Sequence, residues 1–253
     1  MIHHPDDRPI GRVLTRREAV ALIGVSGLAI VTGCGPAKGG SGEAGDAAGR
    51  AAPGCVVRPE QTEGPYFVDE LLNRSDLRSD PASGLVKPGT PLQLTINVSR
   101  VSGTDCAPLR GARVDVWHCD ALGVYSDVAD PSFNTVGQKF LRGYQVTDAD
   151  GAARFTTIYP GWYQGRTVHI HFKVRTDAGA GARGREFTSQ LYFPDDLTQA
   201  VYAREPYAAR GRRTARNGDD GIFRDGGAQL MLAPAPAPSG DGYAASFGLG
   251  LGY

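Results

Sequence analysis

The sequence predicts an all-β domain, a β-sandwich of mainly antiparallel strands with long active-site loops. Three observations carry that prediction. Apolar residues alternate with period two in several runs, turn formers separate those runs at short intervals, and no long stretch has the apolar spacing of a helix.

Residues 1–33 read as an address rather than as structure. Thr15-Arg16-Arg17-Glu18 precedes an uncharged run, 19–31, too short and too rich in small residues to span a bilayer comfortably. Paired arginines ahead of such a run resemble a twin-arginine signal, the export route for proteins already folded. The run closes on Val31-Thr32-Gly33-Cys34, which resembles a lipoprotein cleavage box and makes Cys34 the expected lipidated N-terminus. A short uncleaved anchor and an ordinary signal cut nearby are the competing readings. The expected location is exported, periplasmic or extracytoplasmic, with membrane attachment only through lipid on Cys34. Residues 34–54 are mostly small residues with scattered charge, a flexible tether with nothing large to bury. The folded domain is expected over 55–253.

Within that domain, 91–98, 112–117 and 153–158 alternate cleanly. Val86-Lys87-Pro88-Gly89, Asp148-Ala149-Asp150-Gly151 and Tyr159-Pro160-Gly161 supply turns between them. Residues 168–174 have β-propensity, and one or two helical turns fit 197–207. Residues 227–232 look like a further strand, ahead of an Ala-Pro run that no central strand accommodates. Thr62-Glu63-Gly64-Pro65-Tyr66-Phe67 has no clean period; it is either a structured loop over a cavity or an aromatic plug at the sandwich end.

Charge excludes one class of partner. The chain has 27 basic and 27 acidic residues, so nothing points to nucleic acid. The basic block Arg210-Gly211-Arg212-Arg213 reads as a solvated loop. Of four cysteines, Cys55, Cys106 and Cys119 remain in the domain. Cys106 and Cys119 are expected toward opposite ends of one strand, which disfavours joining them and makes Cys55 the partner of one or the other. No CxxC or Cys/His cluster suggests zinc.

His169-Ile170-His171 is the most chemical stretch. Along a strand both imidazoles face one way, so one metal could take both. The chain has five histidines, and His3 and His4 sit in the leader, leaving His118 as the only other imidazole. A metal here therefore needs donors of another kind. His118-Cys119-Asp120 with a distant histidine has the HxD…H form of ferrous oxygenases, since His118 and Asp120 would share a strand face. A superoxide dismutase-like copper or zinc site needs more imidazoles than exist. Tyrosine is the third choice: Tyr163 lies six residues before His169 across Gly165, and Tyr125 follows a bend at Gly123. A phenol with a free pKa of about 10 stays deprotonated at neutral pH only on a strongly polarising cation, a demand that Fe(III) meets.

Four ordered motifs then resemble the intradiol ring-cleaving dioxygenases, close to the protocatechuate 3,4-dioxygenase β-subunit type and its exported single-domain relatives. They are Pro59-Glu60-Gln61-Thr62-Glu63-Gly64-Pro65-Tyr66; Val114-Asp115-Val116-Trp117-His118-Cys119-Asp120-Ala121-Leu122-Gly123-Val124-Tyr125; Gly143-Tyr144-Gln145-Val146-Thr147-Asp148; and Tyr159-Pro160-Gly161-Trp162-Tyr163 leading into the histidine strand. The resemblance implies that Tyr125, Tyr163, His169 and His171 bind one Fe(3+). It implies that Arg166 stabilises charge on the substrate ring, with Gln190 beside it, and that Tyr163 leaves the metal to accept a substrate proton. The implied reaction cleaves a catechol-type ring with O2 to a cis,cis-muconate-type product. Ser126-Asp127 stands where the protocatechuate enzymes carry a basic pair, and the tether replaces the helical dimer-forming portion of many catechol enzymes. Substrate identity and oligomeric state are accordingly open. The rival readings are the Fe(II) HxD…H oxygenase and a non-catalytic exported β-sandwich binding module.

Overall fold

The computed structural model describes residues 55–177 and 184–252; the leader, Cys34 and the tether over 34–54 lie outside them. In chain order the strands are β1 (Pro91–Ser102), β2 (Asp105–Pro108), β3 (Arg113–Trp117), β4 (Ala129–Asp130), β5 (Phe133–Asn134), β6 (Arg142–Val146), β7 (Ala152–Ile158), β8 (His169–Arg175), β9 (Glu186–Tyr192), β10 (Ala235–Pro236) and β11 (Tyr243–Gly252). Helix α1 (Asp195–Tyr202) and the single turn α2 (Gly221–Arg224) follow β9. One sheet runs β10-β11-β1-β2, with β7 also pairing β1; the other runs β6-β3-β8-β9, and β4 pairs β5.

Period two explains the layering. Leu92, Leu94, Ile96 and Val98 of β1 point one way and are buried. They belong to the same apolar core as Val114 and Val116 of β3 and Ile170, Phe172 and Val174 of β8. Phe172 and Phe247 meet across the two sheets with ring centroids 5.8 Å apart. The alternate residues of β8, His169, His171 and Lys173, face away from this core yet are also buried, so their face needs a cover. Residues 59–70 supply one, with Gln61 N–H donating to Thr188 O and Asp69 paired with Arg113 and Arg175.

The structure departs from the sequence reading in three places. Residues 227–230 form a 3₁₀ turn, entered through left-handed Gly226, and only Met231 and Leu232 pair with Tyr192. The Ala-Pro run, as expected, forms no central strand: it yields only the edge strand β10, consistent with proline's missing donor. Cys106 lies on β2 and Cys119 just beyond β3, so they do not share a strand; Cys55 pairs with Cys106, and Cys119 is free and buried. Arg213 is not solvated: its guanidinium is held by Asp195 in the first turn of α1. The helical turns expected over 197–207 are α1 and the 3₁₀ turn that follows it.

Two glycines bring the loops after β3 and β7 into backbone contact. A Cβ on Gly123, whose φ is +82°, would lie 2.2 Å from Trp162 O, and one on Gly161 would lie 2.4 Å from Asp120 O. This approach sets Tyr125 beside Tyr163. Gly161→Ala is expected to cost about 1–3 kcal/mol of stability through overpacking, read as a lower urea midpoint, with site geometry disturbed in parallel.

Candidate metal centre

Four predicted donors converge on the face of the β6-β3-β8-β9 sheet turned away from the core. On β8, His169 and His171 sit opposite Tyr192 and Gln190 of β9, and His171 also opposite Trp117 of β3. Their Nε2 atoms are 3.0 Å apart, and Tyr163 Oη lies 3.1 Å from His169 Nε2. Tyr125 closes the group, its ring centroid 5.7 Å from that of Tyr163 and 6.2 Å from that of His171. Trp117 stacks on the His171 ring at 5.0 Å with planes 7° apart, which fixes its tilt.

The donor set suits a metal. His169 Nδ1 lies 2.7 Å from Thr167 O; a carbonyl only accepts, so Nδ1 carries the proton and Nε2 presents a lone pair to the centre. Two nitrogens each about 2.1 Å from a metal and at roughly right angles stand about 3.0 Å apart, the spacing found here. No group of three His, Cys, Asp or Glu able to hold a metal occurs among the described residues. Beside the two histidines stand the Tyr163 oxygen, 3.1 Å from His169 Nε2, and the Tyr125 ring; phenol oxygens are hard donors of the kind that favour a trivalent cation.

A second cluster stands beside the first. Arg166 is fully buried, its Nε donating to Asp220 Oδ2 at 2.9 Å and a terminal nitrogen to Gln190 Oε1 at 2.5 Å. Asp220 also accepts from Thr167 N–H and, through its other oxygen, caps α2 at Ile222 and Phe223. Gln190 Nε2 donates to Thr62 O, and Tyr192 Oη to Gln61 Oε1 and Gln190 Oε1. Burial pushes the Tyr192 phenol well up, so it stays a donor. The network holds a guanidinium in fixed orientation between the histidine strand and the covering segment.

That covering segment resolves the ambiguity over 62–67. Tyr66 stacks on Tyr125 at 4.4 Å and meets Tyr163 edge-on at 6.3 Å, while its hydroxyl donates to Asp130 Oδ2. Phe67 packs on Trp117. The segment is therefore a structured cover on the metal face rather than a plug of the sandwich end.

His118 and Asp120 do not form a site. β3 ends at Trp117, so they share no strand face. His118 Nδ1 donates to Cys119 O and its Nε2 accepts from Thr157 Oγ1, leaving no lone pair for a metal. Asp120 Oδ2 pairs with Lys87, and Oδ1 accepts from Leu122 and Val124 N–H. Burial pushes the folded His118 down to about 4 from 6.5. Between those values only the unfolded chain takes the proton, so this group's contribution is complete above about pH 6.5 and falls by on the order of 3 kcal/mol as pH drops toward 4. Urea unfolding of the native protein and His118→Gln should show their difference shrinking by that amount across the window; a constant difference would contradict it.

Sequence reasoning missed Trp117 and Asp220 as parts of the site. An aspartate before a helical turn signals an N-cap, but not the buried arginine that it also holds.

A family model described as Dioxygenase matches residues 62–212. The chain is 35% identical over 152 residues to the protocatechuate 3,4-dioxygenase beta chain of Burkholderia cepacia, covering 55% of this chain and 63% of that one. It is 34% identical over 163 residues to catechol 1,2-dioxygenase 2 of Acinetobacter lwoffii, covering 54% and 52%. It thus spans less than two thirds of either curated relative. Among solved structures, an intradiol ring-cleavage dioxygenase from Tetranychus urticae superimposes with a TM-score of 0.67 at 30% identity, covering 78% of this chain and 95% of that one.

Proposed function

This chain belongs to the intradiol ring-cleavage dioxygenase family, and on that premise we propose that it cleaves a catechol-type ring between its two hydroxylated carbons, with O2, to a cis,cis-muconate-type product. The observation that carries the reading is the convergence of His169, His171 and Tyr163 within about hydrogen-bond distance, with Tyr125 alongside.

The family is iron-dependent, and two phenolate donors favour the ferric state. His169, His171, Tyr125 and Tyr163 would hold Fe(III), which would supply Lewis acidity toward a catecholate and so activate its ring toward O2. The protein's own groups divide the rest. Tyr125 is buried and Tyr163 half-buried, so Tyr163 is the phenol that would take a catechol proton at Oη. Arg166, oriented by Asp220 and Gln190, offers a preorganised cation to charge developing on the ring. Tyr66 and Phe67 cover the site and limit its water.

Export fits the same reading. The leader pattern and the Cys55–Cys106 disulfide both suit an oxidising compartment outside the cytoplasm, with lipid on Cys34 as the tether to the membrane.

Visible absorption tests the centre. Iron-loaded protein should show a tyrosinate-to-iron charge-transfer band that Tyr163→Phe shifts or removes; colourless protein holding stoichiometric ferrous iron would contradict the assignment.

A further inference from the structure

Arg142, the first residue of β6, is 2% exposed and lies in register with Trp117 of β3. Its Nε donates to Ser126 Oγ at 2.7 Å, and one terminal nitrogen donates to the Ser126 carbonyl. The other terminal nitrogen donates to the Tyr66 carbonyl at 3.2 Å. Ser126 Oγ passes its own proton to Phe140 O at 2.6 Å, so its lone pairs are left for the arginine. The strand end is itself braced, because the Arg142 carbonyl accepts from Arg74.

The chemistry of this arrangement is unusual. All three hydrogen-bond acceptors of Arg142 are neutral, and the carboxylates of Glu70 and Asp127 act on it only through longer-range charge, without a hydrogen bond. What the fork joins explains the choice. Ser126 directly follows Tyr125, and Tyr66 is the residue stacked on the Tyr125 ring at 4.4 Å with planes 25° apart. A planar donor with several fixed N–H directions is suited to pinning two separate backbone stretches at once, which lysine's single ammonium is not.

We propose that Arg142 is a positioning residue of the Tyr125 half of the centre: it locks the Tyr125 loop and the covering Tyr66 together, so that the Tyr125 oxygen is delivered to the point on which His169, His171 and Tyr163 converge. The proposal rests on the metal reading above. Arg142 acts through its hydrogen bonds to Ser126 and Tyr66.

The test compares native protein with Arg142→Gln, Arg142→Lys and Ser126→Ala, measuring iron affinity by chelator competition and melting temperature of the iron-free protein. Arg142→Gln should weaken iron about 10- to 100-fold, the range for lost outer partners of metal ligands. Arg142→Lys, which keeps charge and stem but not the fork, should weaken iron while leaving the iron-free melting temperature nearer native. Ser126→Ala should weaken iron less, and the Arg142→Gln/Ser126→Ala double variant should bind as Arg142→Gln does, because the Ser126 hydroxyl contact is already lost with the guanidinium. Native-like iron affinity in folded Arg142→Lys, or strict additivity in the double variant, overturns the proposal. Should Arg142→Gln fail to fold, Arg142→Lys and Ser126→Ala still decide it. Native protein that takes up no iron sinks the metal reading and this proposal with it; native uptake with unchanged Arg142 variants sinks the proposal alone.

Discussion

His169→Ala is expected to leave a folded protein that no longer retains iron, with affinity down by more than the 10- to 100-fold typical of outer-partner loss. The reason lies in the tautomer. Thr167 O fixes the proton on Nδ1, so His169 contributes a lone pair already aimed at the centre, and no neighbouring group can replace it. The remaining His171 and two phenols would bind a ferric ion through fewer and more strongly anionic donors. Removing a buried imidazole also opens a cavity, expected to cost about 1–3 kcal/mol, too little to unfold a typical domain. Metal analysis after dialysis, beside circular dichroism, separates the two effects. Full iron retention by folded His169→Ala would remove this histidine from the ligand set.

Arg166→Met should have the largest combined effect. Arg166 and Asp220 form an ion pair with both side chains 1% exposed, and losing the cation leaves Asp220 charged and buried. Breaking such a pair costs about 3–5 kcal/mol. If Arg166 also stabilises charge on the ring, kcat falls about 10²- to 10³-fold beyond any loss of folded protein. Arg166→Lys separates these: it keeps a cation near Asp220 but loses the fork to Gln190, so stability should recover more than turnover does. Equal recovery of both would reduce Arg166 to a structural counterion.

How much of this was legible in sequence depended on the range of each contact. The histidine strand was readable because period two is local, and β8 places both rings on one face. The tyrosines were not readable from pattern alone; only their resemblance to a family gave them weight, since Tyr125 and Tyr163 meet through two glycine-permitted backbone approaches. β11 went unread because Gly248, Gly250 and Gly252 disguise its alternation, while its ten-residue parallel pairing with β1 spans most of the domain. The alternation at 227–232 misled for the opposite reason: a local pattern suited to a strand was overridden by the left-handed Gly226. Asp220 and Arg166, 54 residues apart, carry no local signal of each other.

The most direct measurement is oxygen uptake by iron-loaded protein against a panel of neutral and carboxylated catechols, with 18O2 and product identification. Ring cleavage between the hydroxylated carbons predicts one O2 consumed per catechol and a cis,cis-muconate-type product carrying both labelled atoms. A semialdehyde as the main product, or catechol binding without O2 consumption, would contradict the account.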